Sequence, residues 1–263
     1  MPHVRVAVVQ YDIAWEDPEA NFAAVEPWIT SAAAAGARVV VLPEMFSTGF
    51  SMRTDVTAEL ADGPSSVFLR DAAARHGVWV AGSVPQLAPE GGRPFNTLVL
   101  ADPAGALHRY RKIHPSGFGE EQAHFAAGED FMTVEVEGVR LTFFVCYDLR
   151  FADEFWATAA QTDCYVVVAN WPVARRAHWL TLLTARAVEN QAYVIGCNRV
   201  GEGGGLSYGG DSQVIDPWGQ VLAAASGSES LLIAEVDAAT VMSTRRQFPV
   251  LADRRTARVE LQP

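Results

Sequence analysis

Short apolar runs alternate with longer helix-forming stretches along most of the chain. The apolar runs predict strands, at Val4–Gln10, Ala37–Leu42, Val78–Ser83, Thr97–Leu100, Ala106–Arg111, Met132–Glu137, Arg140–Val145, Tyr165–Ala169 and Ala192–Asn198. The stretches between them predict helices, at Pro18–Ala35, Ser65–His76, Asp153–Gln161 and Ala174–Asn190. Runs such as Val39–Leu42 and Tyr165–Ala169 are apolar throughout, which is typical of strands covered on both faces. The pattern therefore predicts an α/β sandwich with helices on the outside.

The pattern changes after Asn198. The glycine-rich segment Gly201–Gly205 predicts a flexible loop, and it lacks the Gly-Lys-Ser/Thr ending of a phosphate-binding loop. Three further runs predict antiparallel strands that complete the sheet, at Ser212–Ile215, Gln220–Ala224 and Leu231–Val236. No shift of composition and no internal repeat divides the chain, so we expect residues 1–263 to form a single domain.

Composition and charge narrow the classes of partner. With 49% hydrophobic residues the chain can bury a large core. Its 20 basic and 31 acidic residues give a net charge of −11, which disfavours binding to the phosphate backbone of a nucleic acid. No apolar stretch approaches the roughly 18 residues of a membrane helix, and the amino-terminal residues lack the pattern of a signal peptide. The three cysteines are widely spaced and form no disulfide framework. We therefore expect a cytoplasmic protein with no membrane partner.

Cys146 is the leading candidate for a reactive side chain. The apolar run Arg140–Val145 ends immediately before it, and helix-forming sequence follows soon after. A thiol at such a turn lies near backbone N–H groups and the positive end of a helix, and both favour the thiolate. We therefore predict that Cys146 is a nucleophile. Cys164 and Cys197 border buried strands and are predicted to be structural.

An acid and a base follow two other strands. Glu44 comes just past Ala37–Leu42, and Lys112 comes directly after Ala106–Arg111. Functional groups in α/β sheets gather at the carboxyl ends of strands. We therefore expect Glu44 to act as a general base for Cys146, and Lys112 to stabilise the thiolate and a later oxyanion. Taken alone, Glu44 also fits a solvated loop carboxylate.

The face of the strand distinguishes Lys112 from its basic neighbours. Period-2 alternation puts Tyr110 and Lys112 on one face and Arg109 and Arg111 on the other. Taken alone, Lys112 also fits one more cation in a basic patch.

Other assignments stay open from the residues alone. Glu120 and Glu121 precede a helical turn, where an acidic pair is often only a cap. No cysteine or histidine pair has the spacing of a zinc site. A Cys–His protease dyad is open to several histidines, namely His76, His108, His114, His124 and His178.

Three motifs together resemble those of the nitrilase superfamily, the carbon–nitrogen hydrolases. They are Leu-Pro-Glu44-Met-Phe, Tyr-Arg-Lys112-Ile-His and Val-Cys146-Tyr-Asp-Leu-Arg-Phe, in the same order and at similar spacing over essentially the whole chain. The resemblance implies a four-layer α-β-β-α sandwich, a triad of Glu44, Lys112 and Cys146, and a homodimer paired through helices. By similarity, Glu121 matches a second glutamate that helps to position the substrate and the lysine.

Within the superfamily the chain looks similar to the omega-amidase branch. The stretches that carry this similarity are Asn170–Pro172, His178–Tyr193, Gly196–Arg199 and Gly210–Ser212. Two segments depart from the common pattern: Ala152-Asp153 stands where relatives commonly have Pro-Glu, and Pro115–Gly119 stands where they often have Leu-Phe. Both segments are expected to border the pocket.

The resemblance implies hydrolysis of the terminal amide of a small linear molecule through a thioester on Cys146, without cofactor or metal. The expected substrates are the ω-amides of short α-keto acids, such as 2-oxoglutaramate or 2-oxosuccinamate. The backbone N–H of Tyr147 is expected to join Lys112 at the oxyanion. Arg150 and Trp171 are candidates to orient a substrate carboxylate, although Arg150 fits a structural ion pair equally well. Phe46 and Asn170 complete the expected substrate contacts.

Two alternatives to this function remain. The first is an amidase for another linear amide or a carbamoyl compound. The second is a non-catalytic ligand-binding protein on the same fold, against which the presence of all three triad-type residues speaks.

Overall fold

The computed structural model describes residues 2–255. Its strands and helices, numbered in chain order, are β1 His3–Gln10, α1 Pro18–Ala34, β2 Val39–Val41, α2 Thr54–Thr57, α3 Pro64–His76, β3 Trp79–Gln86, β4 Phe95–Ala101, β5 Leu107–Arg111, α4 Glu121–His124, β6 Thr133–Val136, β7 Val139–Val145, α5 Ala152–Thr158, β8 Cys164–Ala169, α6 Arg176–Asn190, β9 Tyr193–Asn198, β10 Val200–Gly203, β11 Leu206–Ile215, β12 Val221–Ser226, β13 Ser230–Asp237 and α7 Ala238–Gln247. Among the described residues, no helix has the length and apolar character needed to span a bilayer.

Two β-sheets form the centre of the molecule. The first has the strand order β13-β1-β2-β3-β4-β5, and the second has the order β10-β11-β9-β8-β7-β6 with β12 beside β11. Strands β1, β2 and β3 are parallel, whereas β3–β4 and β4–β5 are antiparallel pairs. Strand β5 therefore runs in the same direction as β2, so the segments that follow both strands emerge at the same end of the sheet.

Alternate side chains of β1 pack into two different cores. Val4, Val6 and Val8 join a core shared with the second sheet, whereas Ala7 and Val9 join a core shared with α1 and α3. Burying one such valine side chain contributes roughly 1.5–3 kcal/mol, so both faces of the strand stabilise the fold. This packing explains why Val6, Ala7, Val8 and Val9 of β1 form a continuous apolar run.

The second sheet is covered on its other face by α6. Trp179 and Leu183 of this helix belong to the same core as Val166 and Ile195 from β8 and β9. A Cβ added to Gly196 in β9 would lie 2.4 Å from a Leu183 methyl carbon, so glycine permits this close approach. The predicted four-layer arrangement of helices, sheet, sheet and helices is confirmed.

The glycine-rich segment is not the flexible loop that its composition predicted. Residues Val200–Gly203 pair with Leu206–Gly209, so the segment forms a hairpin. Gly201 has φ +82°, and a Cβ there would lie 2.1 Å from a carboxylate oxygen of Asp12. Glycine suits this position because a Cβ would displace the Asp12 carboxylate and a left-handed φ is strained for larger residues.

The strands of the carboxyl-terminal part divide between the two sheets. Strands β11 and β12 join the second sheet, but β13 pairs with β1 in the first, so they do not complete one sheet as predicted. Helix α7 was not predicted. The Asp237 side chain caps it by accepting from Ala239 N at 2.8 Å, and Val241 and Thr244 are buried. The short helix depends on that burial, which its local pattern barely indicates.

Candidate active site

Side chains from three separate segments meet at the carboxyl ends of strands from both sheets. Glu44 follows β2, Lys112 follows β5 directly, and Cys146 follows β7 directly. The Lys112 Nζ atom lies 3.0 Å from Glu44 Oε1. The Glu44 carboxylate is near enough to the Cys146 thiol to raise its pKa, and Cys146 lines the same cavity as Lys112. The structure therefore brings together the three residues that the motifs predicted.

The Lys112 ammonium lies between two carboxylates. It donates to Glu44 and also to Glu121 Oε1 and Oε2, at 2.9 and 2.8 Å, and all three side chains are 0% exposed. Burial works to lower the pKa of Lys112, but the charges of Glu121 and Glu44 more than offset it, so the pKa is raised. Burial and the charge of Glu44 raise the pKa of Glu121 against the opposing effect of Lys112. Two carboxylates thus share one ammonium, and the cluster is suited to accept a proton.

Glu121 belongs to this cluster and is more than a helix cap. Its Oε2 accepts from the Ser116 backbone N–H at 2.6 Å. The preceding residue, Glu120, is exposed and adopts the left-handed φ of +61°. That turn separates the two neighbouring acids, sending Glu121 inward, as the resemblance implied.

Cys146 begins a sharp turn held by an aspartate. Its φ is +46°, a left-handed conformation that costs a non-glycine residue about 1–3 kcal/mol. The buried Asp148 accepts hydrogen bonds from Val145 N at 3.0 Å and from the Tyr110 hydroxyl at 2.8 Å. Its other oxygen accepts from His114 N at 2.9 Å. Asp148 therefore ties the cysteine turn to the segment that carries Lys112.

The tertiary environment of Cys146 opposes the thiolate, which the position of the residue at a strand-to-helix turn favours. Desolvation and the charges of Glu44 and Glu121 raise the pKa of the thiol well above its usual value, and Lys112 opposes them only in part. Lys112 stabilises a thiolate only weakly because the fold already pairs its ammonium with two carboxylates. Cys146 therefore rests as a thiol and needs a base at the moment of reaction.

Asn96 holds the two carboxylates in place and was not singled out in the sequence. Its Nδ2 donates to Glu44 Oε1 at 2.8 Å and to Glu121 Oε1 at 3.1 Å. Its Oδ1 accepts from the Ser83 hydroxyl at 2.8 Å, which fixes the orientation of the amide. A signal was available, since Asn96 shares its strand face with the buried Leu98.

Asn170 contacts Glu44 and lies at the edge of the cavity. Its backbone N–H donates to Glu44 Oε2 at 2.8 Å, and its Nδ2 donates to the Glu44 carbonyl oxygen. Asn170 also lines the cavity, so the predicted substrate contact and a role in holding Glu44 are both compatible with its position.

A cavity of about 440 Å³ opens over Cys146 and Lys112. Of the predicted substrate contacts, Tyr147, Arg150 and Trp171 line it. The Arg150 guanidinium carbon lies 4.6 Å from the centre of the Trp171 ring. Aromatic residues that were not predicted form much of the remaining wall, namely Trp15, Phe50, Phe118 and Tyr208. The volume suits a small linear molecule.

Phe46 does not lie in this cavity, and its predicted substrate contact is wrong. Its ring is fully buried in the core between the first sheet and helices α1 and α3. The Phe22 and Phe68 ring centres each lie 6.1 Å from it. The left-handed Met45 lies between Glu44 and Phe46, with φ +42°, so the two side chains take different directions.

Neither a described histidine nor one of the other two cysteines lines the cavity. Among the described residues that line the cavity, none is a histidine, which speaks against a Cys–His dyad. Cys164 and Cys197 are fully buried, and burial raises the pKa of both thiols. Within residues 2–255, no three His, Cys, Asp or Glu side chains are grouped so as to hold a metal ion.

The chain is similar to several amide hydrolases over nearly its whole length. Omega-amidase YafV of Escherichia coli (strain K12) is 39% identical over 256 residues, covering 96% of this chain and 97% of that protein. The 2-oxoglutaramate amidase of Bacillus subtilis (strain 168) is 34% identical over 254 residues, covering 94% and 96%. A solved variant of the amidase from Nesterenkonia sp. AN1 carries the acetamide moiety of fluoroacetamide on its active-site cysteine. It is 30% identical with a TM-score of 0.83, covering 94% of this chain and 95% of that chain.

The family comparison covers nearly the whole described chain. The model for carbon–nitrogen hydrolases matches residues 5–246, from the first strand to the last helix. That span includes both sheets and every residue of the carboxylate, ammonium and thiol cluster. The chain therefore belongs to the carbon–nitrogen hydrolase family.

Proposed function

We propose that this protein is an omega-amidase that hydrolyses the terminal amide of a short α-keto acid ω-amide. One observation carries the proposal: the Cys146 thiol lines the same cavity as the Lys112 ammonium, which donates hydrogen bonds to the buried carboxylates of Glu44 and Glu121. This arrangement supplies a nucleophile, a base and a cation at one point.

The first half of the reaction forms a thioester. Glu44 takes the proton from the Cys146 thiol, and the sulfur attacks the carbonyl carbon of the amide. Lys112 and the backbone N–H of Tyr147 stabilise the oxyanion, and removing one such donor typically costs roughly 10²–10³ in rate. Glu44 then returns the proton to the departing nitrogen, and ammonia leaves as the C–N bond breaks.

The second half of the reaction releases the acid. Glu44 takes a proton from a water molecule, whose oxygen attacks the thioester carbon. The C–S bond breaks, and the sulfur recovers its proton through Glu44. Because the pKa of the Cys146 thiol is raised, its protonated form is the resting state to which the cycle returns.

Two comparisons support the choice of substrate. The Escherichia coli relative is an omega-amidase and the Bacillus subtilis relative is a 2-oxoglutaramate amidase, both similar over nearly the whole chain. We therefore propose 2-oxoglutaramate and 2-oxosuccinamate as substrates, both small enough for the cavity.

Ammonia release from a panel of amides tests this proposal. The panel contains 2-oxoglutaramate and 2-oxosuccinamate, with glutamine, asparagine and a carbamoyl compound for comparison. We expect the keto-acid amides to be hydrolysed fastest and Cys146→Ala to lose about 10⁴-fold or more in turnover. Preference for a carbamoyl compound would contradict the substrate, and an active Cys146→Ala variant would contradict the mechanism.

We propose further that two copies pair in a cytoplasmic homodimer. Val188 on α6 and Trp218 in the turn after β11 are 49% and 53% exposed, which supports a contact on this side. Light scattering after size-exclusion chromatography measures the assembly, and a mass near one chain would contradict the dimer.

A further inference from the structure

The cavity has opposite charge at its two ends. At its inner end the single ammonium of Lys112 faces the carboxylates of Glu44 and Glu121, all fully buried. Arg150 and Arg175 line the partly exposed remainder of the cavity. The inner cluster of one ammonium and two carboxylates has a net negative charge that disfavours a substrate carboxylate, whereas two cations line the cavity farther out.

Arg150 is already engaged in the cavity wall. Its guanidinium carbon lies 4.6 Å from the Trp171 ring centre and 5.5 Å from that of Tyr147. Its two terminal nitrogens each lie 3.3 Å from His178 Nδ1. The contact with His178 engages the edge of the guanidinium that carries both terminal nitrogens, so this edge of Arg150 is already in use.

Arg175 has a fixed backbone and an uncommitted charge. Its N–H donates to Pro172 O at 3.0 Å, and its carbonyl accepts from Trp171 Nε1 at 2.8 Å. Its guanidinium carbon lies 4.1 Å from the centre of the Phe118 ring. Among the described residues, no carboxylate lies within ion-pair distance of Arg175, whereas the neighbouring Arg176 pairs with Asp211 at 2.7 Å.

We propose that Arg175 is the residue that selects the free carboxylate of the substrate, with Phe118 supporting its guanidinium. An arginine binds a carboxylate through two parallel hydrogen bonds, and an aromatic face leaves those N–H groups free at the edge. The inner carboxylates repel a second negative charge, so only the neutral amide end of the substrate reaches Cys146. The two ends of the cavity therefore set the direction of binding. This inference rests on the proposed function.

Arg175→Gln, with paired substrates, tests the proposal. The substrates are 2-oxoglutaramate and pentanamide, which has the same chain length and no carboxylate. We expect kcat/KM for 2-oxoglutaramate to fall about 10- to 100-fold, the usual range for a lost charged hydrogen bond, chiefly through a higher KM. The value for pentanamide should change less than about threefold. Arg175→Lys keeps the charge and should recover part of the loss.

Arg176→Gln is the matched control, because it removes the same charge one residue away at an arginine that does not line the cavity. Arg176→Gln should leave the ratio of kcat/KM values for 2-oxoglutaramate and pentanamide unchanged. If Arg176→Gln lowered kcat/KM for 2-oxoglutaramate as much as Arg175→Gln does, the effect would come from the general electrostatic field, and the assignment would be overturned. It would also be overturned if Arg175→Gln left the ratio of kcat/KM values for the two substrates unchanged.

A binding measurement separates this inference from the proposed function. In the Cys146→Ala background, calorimetry measures the Kd of 2-oxoglutaramate with and without Arg175→Gln, independently of turnover. We expect Kd to rise about 10- to 100-fold. If the wild type released no ammonia from any amide, the proposed function would fail. If it released ammonia but Kd did not respond to Arg175→Gln, the inference alone would fail.

Discussion

At the scale of single residues, the charge on Glu44 and the proton on Cys146 are linked. Desolvation is the largest cause that raises the pKa of the thiol, and the negative charge of Glu44 is the next. The charge of Glu44 therefore disfavours the thiolate at rest, and we propose that Glu44 accepts the thiol proton when an amide is bound.

This linkage predicts opposite effects of Glu44→Gln on two reactions of Cys146. Removing the negative charge lowers the pKa of the thiol, so iodoacetamide should alkylate Cys146 about tenfold faster at pH 8 for each unit of lowered pKa. Ammonia release should fall by at least roughly 10²-fold because the base is lost.

Mass spectrometry after timed alkylation measures the first effect, with Cys164 and Cys197 as buried internal references. In the wild type, the alkylation rate should still rise above pH 9. A wild-type rate that levels off near pH 7 would contradict the raised pKa.

At the scale of elements, strained turns place the acid and the nucleophile. Met45, next to Glu44, has φ +42°, and Cys146, which directly follows β7, has φ +46°. Asp148 holds the second turn with hydrogen bonds from residues before and beyond it. The strain is offset by these contacts, which arise from separate segments and are not visible in local propensity.

The left-handed turn at Cys146 predicts an unusual order of stability for two variants that lack the thiol. Glycine adopts a left-handed φ without steric cost, whereas alanine does not. Cys146→Gly should therefore be at least as stable to urea as Cys146→Ala, although glycine normally costs roughly 0.5–1 kcal/mol relative to alanine in regular elements. A Cys146→Gly variant less stable by that ordinary amount would contradict the strained turn.

The elements themselves follow closely from the hydrophobic pattern. The predicted hairpin of Thr97–Leu100 and Ala106–Arg111 is β4–β5, and the predicted faces are confirmed by the burial of Tyr110 and Lys112 and the exposure of Arg109 and Arg111. Two segments with little local pattern were not predicted correctly: Gly201–Gly205 was predicted to be a loop, and α7 was not predicted. The hairpin at Gly201 depends on a contact with Asp12, and α7 depends on packing.

At the scale of the whole molecule, burial raises the pKa of several weak acids. They are Cys146, Cys164, Cys197, Tyr11 and Tyr110. A raised pKa means that the folded protein keeps a proton which the unfolded chain has already lost. The unfolded chain then binds fewer protons, so stability falls as pH rises above the unfolded pKa.

Urea unfolding between pH 8 and 10 tests this expectation. The free energy of unfolding should decrease above about pH 8.5, by up to about 1.4 kcal/mol per pH unit for each fully buried cysteine. Cys197→Ala should be less stable overall but should show a shallower decrease. Constant stability over this range would contradict the burial of the thiols.

Chain patterning alone predicted an α/β sandwich and made Glu44, Lys112 and Cys146 candidates, and the three motifs together singled them out. Apolar runs of period two encode strands locally, and each reactive side chain stands at a strand end that the run itself defines. The catalytic roles assigned to Glu44, Lys112 and Cys146 stay predictions. The three-dimensional fold decided that two carboxylates share the Lys112 ammonium, that the Cys146 thiol keeps its proton, that Phe46 lies in the core, and that Arg175 lines the cavity without a carboxylate partner among the described residues. These properties depend on distances between remote segments in a desolvated interior, where charges interact strongly over a few ångströms, and a linear pattern does not contain those distances.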